Sequence, residues 1–131
     1  MPDVNVWAVL ACGVGTLVLG GLWYSPALFG KQWQKLASLS DEQMAGGQAK
    51  IFGLAFVLSL VAAYVFAMFL GREMGVGPAT AAGASAGLCW VAASFAINYL
   101  FERRPLLLWL INGGYHTLQF TMFGLIIGLM R

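Results

Sequence analysis

Three polar side chains with the spacing of one helix face are the residues of this chain that could do chemistry. Asn112, His116 and Gln119 stand at i, i+4 and i+7 in an otherwise apolar stretch, and Gly113 and Gly114 leave room beside them. His116 is the only histidine, and an imidazole with an unperturbed pKa near ~6.5 takes up and releases protons at physiological pH. The pattern is typical of a proton relay, or of a site for a small polar or anionic ligand.

A second polar stripe lies on the preceding apolar segment. Its members share one face of a regular helix: Gly87, Val91, Ser94 and Asn98. We predict that this stripe and the face of Asn112, His116 and Gln119 line one polar seam, which opens toward Glu102. The alternative is that these groups only hydrogen-bond one another and fix the helix packing, since such bonds contribute roughly 0.6–2 kcal/mol each in membranes.

Four apolar segments carry these residues and fill most of the chain: 4–24, 49–70, 78–100 and 105–130. Each reaches the ~20 residues that a helix needs to cross a bilayer, and none has Asp, Glu or Arg in its interior. Of the 131 residues, 60% are hydrophobic and 9% are charged, which is too apolar for a soluble domain of this size. We predict an all-α, polytopic membrane protein: one domain, 1–131, with four transmembrane helices in a bundle.

The first connection predicts a short amphipathic helix at the membrane surface. Pro26 suits the first turn of such a helix, and the apolar side chains that follow share one face: Leu28, Phe29, Trp33 and Leu36. We interpret this segment as an interfacial helix, either a lid or headgroup sensor or only a surface anchor. Ser40 and Gln43 then have capping-box spacing, so a new helix is predicted after Ser40.

The basic residues indicate an orientation. The first and third connections hold five of the seven Lys and Arg residues, against Arg72 and Arg131 on the other side. Because cytoplasmic loops retain Lys and Arg, we predict a bacterial inner-membrane protein with both termini outside, and a dual or inverted topology is the open alternative. The net charge of +2 comes from scattered residues, so no nucleic-acid partner is expected.

Small residues predict where the helices pack. Gly83 and Gly87 have the small-xxx-small spacing that allows close helix contact, and Gly124 and Gly128 repeat it in the last segment. Each of the four segments offers such a small-residue face, and one four-helix bundle needs fewer than four. We therefore expect a homodimer, and the other expected partner is the lipid bilayer.

Few residues of the sequence are placed where they could act in enzyme catalysis. All five carboxylates fall in termini or turns, and no metal-binding cluster, phosphate loop or nucleophile–base spacing occurs in the sequence. We therefore expect neither an enzyme nor a bound metal or cofactor.

Two strings resemble a known family. One runs from Leu22 through Trp23-Tyr24-Ser25-Pro26 to Trp33, and the other runs from Asn98-Tyr99 through Pro105 to His116. Together they resemble the small bacterial membrane proteins of domain of unknown function 1761, over nearly the whole chain. The resemblance implies four membrane helices and supplies no activity. Our interpretation is a small-solute or proton-coupled transporter or channel, and the alternative is a structural or partner-binding membrane protein.

Overall fold

The computed structural model describes residues 3–130, which form helices and turns without a β-strand. The helices are α1 (Val6–Trp23), α2 (Gly30–Leu36), α3 (Asp41–Ala45), α4 (Gln48–Leu70), α5 (Val76–Ala86), α6 (Ala93–Glu102) and α7 (Leu106–Leu129). A π-helical segment, Gly87–Ala92, joins α5 to α6 in one continuous helix. The all-α prediction is confirmed. Arg131, counted in the predicted orientation, lies outside the described residues.

Three helices are long and apolar enough to cross a membrane: Val6–Trp23, Gln48–Leu70 and the continuous Val76–Glu102, with mean hydropathies of 1.9, 2.4 and 1.5. With 24 residues, α7 is also long enough, at ~1.5 Å per residue. It is less apolar because Asn112, His116 and Gln119 interrupt it. The structure is consistent with a membrane protein, and a fourth span on α7 stays a prediction.

The segment after α1 is more tightly folded than its sequence indicated. Pro26 does not begin the amphipathic helix, and that part of the prediction was wrong, because Ser25 to Phe29 form a compact turn and α2 begins at Gly30. The Gly30 amide donates to the Ser25 carbonyl oxygen at 2.9 Å. A Cβ atom on Gly30 would lie 2.2 Å from the Tyr24 carbonyl oxygen, so only glycine fits this turn.

The helix predicted after Ser40 is present. Its N-cap is Ser40, whose side chain accepts from the Gln43 amide, while the Gln43 side chain accepts from the Ser40 amide. The predicted capping box is therefore confirmed. It satisfies two backbone N–H donors at the start of a helix only five residues long.

The last helix, α7, is the centre of the molecule. It packs against α1 on one side and against α5, the π-helical segment and α6 on the other, while α4 packs mainly on α1. Cys12 and Phe123 are fully buried where these helices meet. The other faces of α4 and of the π-helical segment expose large apolar side chains such as Leu58 and Trp90, as expected of helices that contact lipid.

Four glycines lie where α5 and the π-helical segment meet α7. A Cβ atom on Gly83 would lie 2.0 Å from the Phe120 carbonyl oxygen, and one on Gly124 would lie 2.1 Å from the Ala79 carbonyl oxygen. Gly87 and Gly128 likewise face backbone atoms of the opposite helix at 2.7 and 2.9 Å. The two helix backbones therefore touch directly, which side chains larger than hydrogen would prevent.

Candidate functional site

The amide of Asn112 joins three separate elements. Its Oδ1 accepts from the Tyr24 hydroxyl at 2.6 Å, and its Nδ2 donates to the Tyr99 hydroxyl at 2.7 Å. Tyr24 is the C-cap of α1, Tyr99 belongs to α6, and Asn112 lies one and a half turns into α7. The side chain therefore fixes the ends of α1 and α6 against α7.

One turn further along α7, His116 begins a second chain of hydrogen bonds. The Thr16 hydroxyl donates to the Cys12 carbonyl oxygen at 3.0 Å and accepts from Gln119 Nε2 at 3.2 Å. The Gln119 Oε1 atom therefore faces His116 Nδ1, at 2.7 Å. An amide oxygen only accepts, so His116 Nδ1 carries a proton, and Nε2 is the unprotonated nitrogen of the neutral ring.

Aromatic rings enclose the imidazole. Phe95 of α6 stacks on the His116 ring with 5.1 Å between centroids and 14° between planes, and Tyr115 meets it edge-on at 4.9 Å. The Tyr115 hydroxyl donates to the Thr16 carbonyl oxygen at 3.1 Å. His116 is half-buried as a result, and within residues 3–130 no side chain or backbone group hydrogen-bonds its Nε2 atom.

The amphipathic helix covers one side of this cluster. Trp33 of α2 meets the Tyr24 ring edge-on at 5.1 Å, and Tyr24 in turn packs on Tyr115 at 5.3 Å. Lys31 and Lys35 point outward and are exposed. Thus α2 is attached to the site by an aromatic contact.

The structure does not join the predicted stripe of α6 to this cluster. Ser94 and Asn98 are exposed, and the Ser94 hydroxyl donates to the Trp90 carbonyl oxygen at 2.6 Å. Glu102 is also exposed and pairs with Arg104 at 3.4 Å. Of the predicted seam, only Asn112, His116 and Gln119 lie together, and Ser94, Asn98 and Glu102 lie on the outer face.

The π-helical segment explains this difference. A π turn inserts one residue into an α-helix, so residues after Gly87–Ala92 are turned by about one position, roughly 100°. Phe95 and Tyr99 therefore take the inward positions that a regular helix would give to Ser94 and Asn98. Such segments are frequent at functional sites, and this one sets which side chains reach His116.

Four partners in the cluster were missed by the sequence reasoning: Thr16, Tyr24, Tyr99 and Tyr115. Tyr24 and Tyr99 end their segments, where aromatic residues commonly lie at the membrane interface. The available signal was that Asn112 needs hydrogen-bond partners at its depth, and tyrosine hydroxyls supply them. Within residues 3–130, no group of three or more His, Cys, Asp or Glu residues lies together as metal ligands would.

The chain is an α-helical protein whose long apolar helices, with a polar and aromatic cluster between them, are consistent with a membrane protein. The family model described as protein of unknown function (DUF1761) matches residues 7–128. The chain therefore belongs to this family, and the resemblance noted in its sequence is confirmed. Neither the curated proteins nor the solved structures gave a match.

Proposed function

We propose that this protein is a proton-coupled transporter or channel for a small solute, with His116 as its protonatable group. The observation that carries the proposal is the fixed orientation of the His116 ring. Its Nδ1 donates to Gln119 Oε1 at 2.7 Å, while its Nε2 has no hydrogen-bond partner among the described residues. A single free nitrogen beside a fixed ring is what reversible protonation requires. Polar residues at membrane depth are costly and commonly mark ion pathways.

The proposal includes four spans, with α7 as the fourth. The polar side chains of α7 that lower its hydropathy face the other helices, since Asn112 and Gln119 bond to Tyr24, Tyr99 and Thr16. The outward side chains of α7 are leucines. A helix with this division is suited to the centre of a membrane bundle. With the positive-inside bias, we place both termini outside a bacterial inner membrane.

Protonation would change the site in one defined way. A proton added to Nε2 leaves the Nδ1 bond to Gln119 in place and gives the ring a positive charge. Phe95 stacks on that ring, and aromatic faces attract cations. The titratable neighbours in the cluster are tyrosines, which are neutral at physiological pH. No carboxylate among the described residues pairs with His116, so no negative side chain offsets the charge of the protonated ring.

We also propose that the protein acts as a homodimer through the outer face of α5 and α6. The Asn98 side chain has no hydrogen bond within residues 3–130, and it is exposed together with Ser94. Ala81 and Ser85 of α5 are also exposed, and their side chains are small. Amides facing lipid are unfavourable, whereas two Asn98 side chains can bond to each other across a dimer.

The experiment for the transport function uses purified protein in liposomes that enclose a pH-sensitive dye. The parent protein should carry protons down a pH gradient faster than empty vesicles. The variants His116→Gln, which keeps a polar group beside Gln119, and His116→Phe should both lose this flux. Leu125→Phe, on the exposed side of α7, is the matched control and should keep it. Equal flux in the parent and in His116→Phe would contradict the role of His116.

The second candidate is a structural or partner-binding membrane protein. Its support is that no buried side-chain nitrogen or oxygen within residues 3–130 lacks a hydrogen-bond partner, so the cluster is also suited to fixing helix positions. In that case neither parent nor variants conduct protons, and His116→Phe lowers the melting temperature because Gln119 Oε1 loses its donor. His116→Gln should then melt closer to the parent.

A further inference from the structure

A hollow on the outer side of α7 lies away from the His116 cluster. Its volume is about 350 Å³. Trp23 and Trp109 form its walls, Gly113 and Gly114 form its floor, and Leu88 and Leu118 form its rim. We call it the tryptophan hollow. The sequence reasoning placed Gly113 and Gly114 beside the polar side chains, but the structure uses them here.

The walls of the tryptophan hollow are held rigidly. Trp23 Nε1 donates to the Ile111 carbonyl oxygen at 2.8 Å, and Trp109 Nε1 donates to the Ala92 carbonyl oxygen at 2.7 Å. The Thr117 hydroxyl, which also lines the hollow, donates to the Gly113 carbonyl oxygen at 2.8 Å. Each polar side-chain group of the lining is therefore bonded to backbone, and the hollow presents carbon to its occupant.

The floor of the tryptophan hollow is open because Gly113 and Gly114 have no side chain. A Cβ atom on Gly113 would lie 3.2 Å from Ala92 Cβ and 3.3 Å from Trp109 Nε1. A Cβ atom on Gly114 would lie 3.2 Å from Trp23 Cζ2. Either methyl group would push against a wall or occupy the space itself. Gly113 and Gly114 therefore keep a slot open between the indole rings of Trp23 and Trp109, each of which is hydrogen-bonded to backbone.

The length of the slot fits one lipid chain. From Trp109 to Leu118 the helix advances roughly 14 Å at ~1.5 Å per residue. One leaflet contributes about half of the ~30 Å hydrocarbon core. The slot therefore covers about the depth that a single acyl chain occupies.

Positive charge lies at the end of the slot where a headgroup would be. Arg103 and Arg104 stand just before Pro105, the N-cap of α7, and Trp109 is the fourth residue of that helix. Arg104 pairs with Glu102, whereas Arg103 donates to the Phe101 carbonyl oxygen and has no carboxylate partner among the described residues. An anionic phosphate complements that guanidinium.

We propose that the tryptophan hollow binds an anionic diacyl phospholipid, with one acyl chain in the slot and the phosphate at Arg103. This site goes beyond the proposed transport function, and it depends only on insertion of the protein in a bilayer. The lipid would fill the groove between α1, α7 and the π-helical segment that positions Phe95 against His116.

Native mass spectrometry of the protein released from nanodiscs tests this site. The nanodiscs contain equal amounts of phosphatidylglycerol and phosphatidylcholine. The parent should retain phosphatidylglycerol preferentially. Leu118→Trp, which fills the hollow, should lose that lipid, whereas Leu125→Trp, equally exposed on α7 but away from the hollow, should retain it. Arg103→Asn, which suits the left-handed backbone there, should lower the preference for the anionic lipid about fivefold.

Three results would overturn the proposal. The parent retains both lipids equally, Leu118→Trp retains as much phosphatidylglycerol as Leu125→Trp, or Leu118→Trp reduces the amount of dimer and leaves lipid retention unchanged. The last result would make the hollow a contact between protein copies. Circular dichroism of each variant checks that its helices are intact, and proton flux is measured separately, so the two proposals fail independently.

Discussion

The close approach of two helix backbones at Gly83 makes Gly83→Ala the most quantitative test of the packing. The new Cβ atom would lie 2.0 Å from the Phe120 carbonyl oxygen and 2.8 Å from the Phe120 carbonyl carbon. Both are backbone atoms, so no side-chain rotation relieves the clash. To restore the 3.0 Å that real Cβ atoms require, α5 and α7 must separate by about 1 Å at this point.

Two opposing terms set the expected size of the effect. Overpacking a tight interface costs about 1–3 kcal/mol, while alanine favours a helix over glycine by about 0.5–1 kcal/mol. The difference between those terms lies between about 0 and about 2.5 kcal/mol, and we expect the free energy of unfolding to fall by about 1 kcal/mol. The control is Gly53→Ala in α4, where a Cβ atom meets nothing within 4 Å. Only the favourable helix term applies there, so the control should be unchanged or slightly stabilised.

Reversible unfolding in mixed micelles, with rising dodecyl sulfate and helix content followed by circular dichroism, measures the difference. Gly124→Ala, whose Cβ atom would lie 2.1 Å from the Ala79 carbonyl oxygen, should destabilise in the same direction. If Gly83→Ala unfolds at the same detergent composition as Gly53→Ala, the two helices are not in direct backbone contact and this account of the packing fails.

Three further substitutions test other contacts. Asn112→Leu removes two hydrogen bonds and should lower the free energy of unfolding, measured in the same micelles, by about 1–3 kcal/mol. An unchanged unfolding midpoint would mean that the Asn112 amide does not connect the helices. Gly30→Ala forces the turn before α2 open and should speed proteolysis at Lys31 or Lys35. Gly46→Ala should not, because its Cβ atom would meet no atom closer than 3.8 Å. Trp109→Phe loses the indole bond to Ala92 and should lower the melting temperature; a melting temperature equal to that of the parent would show that this bond contributes nothing.

The helices and the polar face of α7 could be predicted because they depend on local periodicity. Apolar runs predict the long helices, and the spacing of Asn112, His116 and Gln119 places them on one side. A polar face at that depth must turn toward other helices, as it does here. The capping box at Ser40 is equally local, since its bonds span three residues.

The partners of that face could not be predicted because they depend on one inserted residue. Val91, Ser94 and Asn98 fall on one side of a regular helix, but the π-helical segment turns Phe95 and Tyr99 inward instead. Nothing in the residues Gly87–Ala92 marks a π turn, since they are apolar like their neighbours. Close packing of Gly87 on α7 is a tertiary effect, which a helix wheel does not contain.

The prediction that Pro26 begins the helix before Trp33 was wrong for a related reason. Proline suits the first turn of a helix, but Gly30 packs on the Tyr24 carbonyl and lets the chain close a turn first. The sequence offers both possibilities, and the tight backbone approach at Gly30 selects between them.

The measurement that tests the central claim most directly is nuclear magnetic resonance of isotope-labelled histidine in lipid bilayers, which is unambiguous because the chain has one histidine. The account predicts that the neutral ring of His116 carries its proton on Nδ1, and that the ring gains a second proton reversibly, on Nε2, as the pH falls. Gln119→Leu should remove the preference for Nδ1. A neutral ring protonated on Nε2, or a ring that never titrates, would contradict the account.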